Sequence, residues 1–222
     1  MFLNQCNDSE LKQNVNESLK AVEEAFKRYE PASEKISVCF NGGKDCIAML
    51  HLVYAVYQKK FPGKKLKSFY VKEKETFPEV EAYIEDACSR YNLTNTVLEG
   101  PMKPALIKML AEDPSVEATV LGVRKGDPGS DKLDVFSPTD GDWPRVMRVN
   151  PILSWSYSNI WTFLRSLSLP YPKLYDNGYT SLGSPTNTVP NPALAYTTEK
   201  GEKRFKPAYE LEKQELERQG RL

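Results

Sequence analysis

The sequence predicts an α/β fold: an open, mostly parallel sheet with helices on both faces, then a loop-rich C-terminal part. Two observations lead there. Short β-prone runs alternate with helical stretches as far as residue 123, and the alternation then dissolves into a long segment rich in glycine and proline. The length of 222 residues favours one domain over residues 1–222. A chain of that size buries roughly 70% of its unfolded surface, so it needs no disulfide or structural metal.

The elements follow in chain order. Leu11, Val15, Leu19, Val22 and Phe26 form one stripe of an amphipathic helix, and Pro31 ends it. Residues 35–40 read as a strand, residues 46–57 as a buried helix and residues 66–71 as a second strand. Residues 78–90 read as a helix with Val80, Tyr83, Ile84 and Ala87 inward, and Pro78 suits its first turn. A short strand is expected at 96–98, a helix at 103–111 and an apolar strand at 118–123. Residues 124–150, with Gly126, Pro128, Gly129, Pro138 and Gly141, read as one long irregular loop, a length that is commonly functional. A helix is expected at 156–167, and the charged tail 208–221 is helix-prone.

Thirty basic residues balance thirty acidic ones, which argues against a protein that coats nucleic acid or an acidic membrane. No apolar run approaches the ~20 residues of a membrane span. Residues 1–20 are polar, without a signal peptide's apolar core, so a cytoplasmic location is expected. Cys6, Cys39, Cys46 and Cys88 lack paired spacing and read as reduced thiols. His51, the one histidine, falls in an apolar helical stretch and suits the core better than catalysis.

The most informative segment is Phe40-Asn41-Gly42-Gly43-Lys44-Asp45-Cys46, where a strand runs through two glycines into a helix. Glycines let the backbone approach a ligand closely. The unpaired N–H groups and the dipole at a helix start favour an anion, and Lys44 adds a charge. A turn merely capped by Asn41 or Asp45 would explain the glycines alone. The flanking strand, buried helix and polar groups favour phosphate. A Walker loop is absent. The segment resembles the SGGxDS loop of ATP-pyrophosphatase-like enzymes, with Asn41 and Cys46 at the first and last serine positions.

The strand at 118–123 leads into Arg124 and Asp127. Ligands of open parallel sheets bind beyond the carboxyl ends of strands. Arg124 suits phosphate and Asp127 suits Mg²⁺, although a surface ion pair would also account for both. Asp140, Trp143 and Arg145 place an acid, a ring and a base on one loop, as a planar heterocycle requires, whereas a loop anchored by a buried Trp143 is the plainer reading. Arg218 and Arg221, three apart, would share a helical face and clamp phosphate, against the plainer reading of a solvated tail.

These segments occur in one order together with Asn159-Ile160-Trp161, the run from Val189 to Leu194, Pro207-Ala208-Tyr209-Glu210-Leu211 and Glu217-Arg218-Gln219-Gly220-Arg221. From about Lys35 to the last residue the set resembles the fungal-type FAD synthases, or FMN adenylyltransferases. They form part of the phosphoadenylylsulfate-reductase-like branch of the Rossmann-like adenine nucleotide α-hydrolase fold. The resemblance implies that FMN and ATP give FAD and pyrophosphate with Mg²⁺, the FMN phosphate attacking the α-phosphorus in line. It implies a nucleotide-binding core over 35–155, after an N-terminal helix in 1–30 and before a helical and loop-rich part over 156–222. Phe40, Asn41, Gly42, Gly43, Lys44, Asp45 and Arg124 would surround the ATP phosphates, and Tyr70 and Val71 would meet adenine. Asp140, Trp143, Arg145 and Arg148 would form the flavin site. Asp127, with Asn41, would hold the metal. Asn41, Asp45, Asp127, Arg218 and Arg221 would carry catalysis. The expected partners are the small-molecule substrates FMN and ATP, with no nucleic acid or membrane, and the chain would be a monomer or weak dimer.

Two other readings compete. A phosphoadenylylsulfate reductase needs a cysteine near its C-terminus, and the last one here is Cys88; an RNA-thiolating relative would need an RNA surface that the balanced charge does not suggest. A non-catalytic flavin- or nucleotide-binding protein would keep the pocket without Lys44, Asp45, Asp127, Arg218 and Arg221 all being retained.

Overall fold

The computed structural model describes Cys6, residues 8–72 and residues 75–222. The start of the expected N-terminal part, residues 1–5 and 7, lies outside the described residues.

Helix α1, Ser9–Arg28, starts where the Asp8 carboxylate accepts the Leu11 N–H at 3.0 Å, an N-cap that satisfies one orphan donor. The expected stripe is its buried face: Leu11, Val15, Val22 and Phe26 are all nearly sealed. Strand β1, Ile36–Cys39, leads through the glycine turn into α2, Lys44–Lys60. Next come β2, Leu66–Lys72, then α3, Pro78–Arg90, then β3, Leu93–Glu99, then α4, Met102–Glu112, and then β4, Ala118–Val120.

With β5, Phe136–Pro138, and β6, Met147–Val149, the sheet order is β3-β2-β1-β4-β6-β5. The pairs β1–β2, β1–β4, β2–β3 and β4–β6 are parallel, while β5 runs antiparallel to β6. The chain moves from β1 to β2 on one side and later returns to place β4 on the other. The carboxyl ends of β1 and β4 therefore flank the point where strand order reverses, the ligand crevice of open α/β sheets.

Three sequence expectations need correction. Residues 124–150 are not one irregular loop, because they contain β5, Phe136–Pro138, and β6, Met147–Val149. The apolar run at 118–123 is a strand only to Val120, since β1 has already turned away towards the glycines. The tail does not form a helix. It makes two short 3₁₀ turns, Ala208–Glu210 and Gln214–Leu216, so Arg218 and Arg221 share no helical face. Beyond α5, Tyr157–Ser166, a hairpin of β7, Ala195–Thr197, and β8, Lys203–Phe205, was also not anticipated.

The two faces of the sheet are covered unequally. Helices α1, α2, α3 and α5 pack with Ile36, Val38, Ala118 and Val120 into the large core. The opposite face carries α4 through Leu106 and Met109, with Phe69, Leu98 and Val146. Strand alternation sorts the residues: Val38, Tyr70 and Val120 face the large core, and Cys39, Phe69 and Thr119 face the other way. One helix is too little cover for that second face, and an apolar hollow remains beside the ends of β1 and β4.

Candidate active site

The turn after β1 depends on its first glycine. Gly42 has φ +72°, a conformation that L side chains rarely adopt, and a Cβ there would lie 3.0 Å from Ile84. The Asn41 side-chain oxygen accepts the Gly43 N–H at 3.0 Å and tightens the turn. Gly43 is the N-cap of α2, so no side chain caps that helix. The first helical N–H, that of Lys44, instead donates to the Tyr175 hydroxyl at 2.9 Å. Opposite this helix start runs the segment after β4. A Cβ on Gly122 would fall 2.9 Å from both the Cys46 nitrogen and sulfur, so only glycine allows the approach.

A cavity of about 530 Å³ opens over these two strand ends. Asn41, Gly43, Lys44 and Asp45 line it from the loop, and Tyr70 and Val71 from the end of β2. Asp127, Arg218 and Arg221 complete the set of anticipated groups around it. A second, mostly apolar cavity of about 340 Å³ is the hollow left by α4; Phe69, Leu106, Trp143 and Arg148 line it. Asn41, Cys46, Met102 and Gly122 line both cavities, so the two share a wall.

Several expected residues sit elsewhere. Phe40 is fully buried, packs its ring against Tyr83, donates its N–H to the Phe69 carbonyl at 2.9 Å and lines neither cavity. Arg124 does not line the cavity: its Nη2 lies 2.6 and 2.7 Å from the two Glu217 oxygens, and its Nε lies 2.7 Å from Asp45 Oδ1. The Nε contact is a charge contact off the N–H direction, since neither atom has a well-aligned hydrogen bond. Asp140 is largely exposed and pairs with Arg148 at 3.0 Å. Arg145 is exposed and lines neither cavity.

The electrostatics are set by burial and pairing. Burial alone would push the Lys44 ammonium down, but the carboxylates of Asp45 and Glu217 outweigh it and hold the group above its ordinary value. Burial raises the Asp127 carboxyl, against the Arg124 N–H that its Oδ2 accepts at 2.8 Å. Burial pushes the Cys46 thiol up to about 12, which makes it an inert neighbour. Burial and then the adjacent Arg218 lower Arg221, whose Nη1 donates to the Leu182 carbonyl at 2.7 Å.

Tyr175 has no part in the sequence reading and Glu217 enters it only as the first residue of a motif, without a role of its own, yet both line the cavity. So does the segment 181–184, which meets Arg221. Asn191 is equally central and fully buried. It accepts the Ala193 N–H at 2.9 Å and donates to Thr180 and to the Leu216 carbonyl, both at 2.8 Å. The motif around it therefore straps the C-terminal segment across the site.

The family model described as phosphoadenosine phosphosulfate reductase domain matches residues 35–106 and 100–190. A probable FAD synthase of Caenorhabditis elegans is 39% identical over 96% of this chain, which spans only 41% of that relative's length. A probable FAD synthase of Schizosaccharomyces pombe is 37% identical over 95% of this chain and 80% of the relative. The crystal structure of Candida glabrata FMN adenylyltransferase in complex with FMN and the ATP analog AMPCPP superposes with a TM-score of 0.92. That match is at 27% identity over 99% of this chain and 94% of the other. The two-cavity site is thus carried on a fold shared with these proteins, and the chain belongs to the FAD synthase family, with a phosphoadenosine phosphosulfate reductase domain at its centre.

Proposed function

We propose that the chain is an FMN adenylyltransferase that makes FAD and pyrophosphate from FMN and ATP. The observation that carries this reading is the shared wall between a polar cavity at a helix start and an apolar cavity beside Trp143. One ligand with a flat apolar ring and a phosphate fits across that wall. The ring enters the hollow against Trp143, and the phosphate reaches Asn41 and Gly122. ATP fills the polar cavity, with adenine at Tyr70 and Val71 and its β- and γ-phosphates towards the glycine turn, Arg218 and Arg221.

An FMN phosphate oxygen then forms a bond to the ATP α-phosphorus. The bond from that phosphorus to the bridging oxygen of the β-phosphate breaks, and pyrophosphate leaves with the electron pair. No protein group is covalently modified, so alignment and charge stabilisation are the chain's task. The positive end of α2 and the two arginines favour the departing anion.

Among the described residues, no cluster of three or more His, Cys, Asp or Glu is placed to hold a metal unaided. Mg²⁺ asks for less, one or two carboxylates with phosphate oxygens. Asp127 fits that set: it lines the cavity and has one oxygen already fixed by the Arg124 N–H. The Asn41 amide oxygen is the second hard donor in reach of the same space. When bound, the ion supplies charge neutralisation on the phosphates.

The thiols of Cys6, Cys39, Cys46 and Cys88 stand free, which suits a reducing compartment such as the cytoplasm. No helix among the described residues is long and apolar enough to cross a membrane.

The test mixes the protein with FMN, ATP and Mg²⁺ and follows pyrophosphate release with flavin fluorescence. Stoichiometric pyrophosphate and falling fluorescence are expected, because the adenine of FAD stacks on its flavin. Binding of FMN without pyrophosphate release would turn the reading to a non-catalytic flavin protein.

A further inference from the structure

Four charged side chains form a closed set at the base of the polar cavity. Lys44 is only 2% exposed, and its Nζ lies 2.5 Å from Glu217 Oε1 and 3.0 Å from Asp45 Oδ2. Arg124, 5% exposed, meets the same two carboxylates, contacting both oxygens of Glu217. Two cations and two carboxylates sum to zero formal charge. Each cation is thus already engaged by two anions of the chain itself, and neither stands free for a phosphate.

The cations left for a phosphate come from the C-terminal segment. Arg218 lines the cavity, is exposed, and forms no ion pair among the described residues. It follows Glu217 directly in the chain. The backbone here is already tied without the Glu217 carboxylate: Thr180 Oγ1 donates to the Glu217 carbonyl at 2.6 Å, and the Val189 N–H to the Gly220 carbonyl at 2.9 Å. The carboxylate therefore adds orientation rather than attachment.

We infer that Glu217 is a positioning residue: it pins the C-terminal segment onto Lys44 and Arg124 and so sets Arg218 over the reacting phosphates, while Lys44 anchors Glu217 and is not itself a phosphate ligand. This rests on the adenylyltransferase reading above. A misplaced Arg218 weakens stabilisation of charge that develops in the transition state, so the loss falls on kcat. A lost ground-state phosphate ligand would instead appear in KM.

The experiment measures steady-state FAD formation for E217Q, K44M, R218A and the double variant E217Q/R218A, with FMN binding followed by fluorescence. The expected result for E217Q and K44M is a kcat at least about tenfold lower, with the KM for ATP within about threefold of wild type and FMN binding unchanged. E217Q/R218A should be no slower than R218A, because Glu217 acts through that arginine. If E217Q fails to fold, E217Q/K44M restores neutrality and carries the same expectation. The inference is overturned if E217Q keeps normal kcat, if K44M raises KM alone, or if the double variant's loss equals the product of the single losses. A wild-type chain that makes no FAD would overturn the adenylyltransferase reading instead, and this inference with it.

Discussion

Gly122→Ala tests whether the site is built by the close approach of the β4 end to the start of α2. The new Cβ would lie 2.9 Å from the Cys46 nitrogen and sulfur and 3.0 Å from its Cα. Comfortable carbon contacts need about 3.5–4.0 Å, so the strand end must retreat by roughly half an ångström or more. Two of the three clashing atoms are helix backbone and cannot rotate away. Overpacking of this kind costs about 1–3 kcal/mol, and the rigid neighbours place this case at about 2–3 kcal/mol. For a chain of this size each kcal/mol lowers Tm by about 2–4 °C, so a fall of about 4–12 °C is expected by circular dichroism. FAD formation should fall as well, because Gly122 lies in the wall between the two cavities. Adding Cys46→Ala removes the sulfur contact but neither backbone contact, and should recover less than half of the lost stability. A Tm within a degree of wild type would refute the steric reasoning.

Three further outcomes follow from named contacts. Asp127→Asn keeps the shape and removes the charge, so turnover should drop by about 10²- to 10³-fold in a pyrophosphate assay while the circular dichroism spectrum is retained. Normal turnover would remove Asp127 from the metal role. His51 is half-buried, its Nδ1 lies 3.2 Å from the Tyr91 hydroxyl, and burial depresses its folded pKa below 6.5. The unfolded chain therefore takes up the proton first: stability from this group is complete above about pH 6.5 and is lost as pH falls towards the depressed folded value. His51→Gln should flatten that part of a Tm-against-pH curve, and an unchanged slope would contradict it. Asn191→Ala leaves the Ala193 N–H and the Leu216 carbonyl without their partner. It should cost about 3 kcal/mol in urea unfolding, with loss of FAD formation at temperatures where the fold persists.

Legibility from sequence tracked how local the determinants were. The strand, glycine turn and buried helix around residues 36–60 could be read because apolar pattern, Gly42 and the helix start all lie within one short window. The strands Phe136–Pro138 and Met147–Val149 were hidden because three residues give no alternation to recognise, and Pro138 and Arg148 argue against a strand. The tail misled for a different reason. Its composition favours a helix, but the Asn191 amide and the Thr180 hydroxyl take the carbonyls of Leu216 and Glu217, and Pro207 precedes the first turn. Such competition comes from residues more than twenty positions away. The sequence gives Glu217 a place in a motif but no partner, and only the fold brings it to Lys44, 173 residues earlier. The candidate site was thus legible as a list of cations and glycines, but not as a circuit in which two of the cations are already neutralised.

The unequal covering of the sheet gives that circuit its setting. Helices α1, α2, α3 and α5 bury one face, and residues such as Phe26, Ile36 and Val120 there are sealed completely. Burying one large apolar side chain contributes about 1.5–3 kcal/mol, so that face alone can supply most of the stability. The second face can then afford one helix and an open hollow without loss of the fold. A protein whose two faces were equally packed would have nowhere to seat a flat apolar ring beside the glycine turn. The C-terminal segment lies across the large-core side of the cavity, where α5 and the Asn191 strap hold it: the cations that must meet phosphate are set against the rigid half of the molecule, and the face left open takes the part of the ligand that needs room.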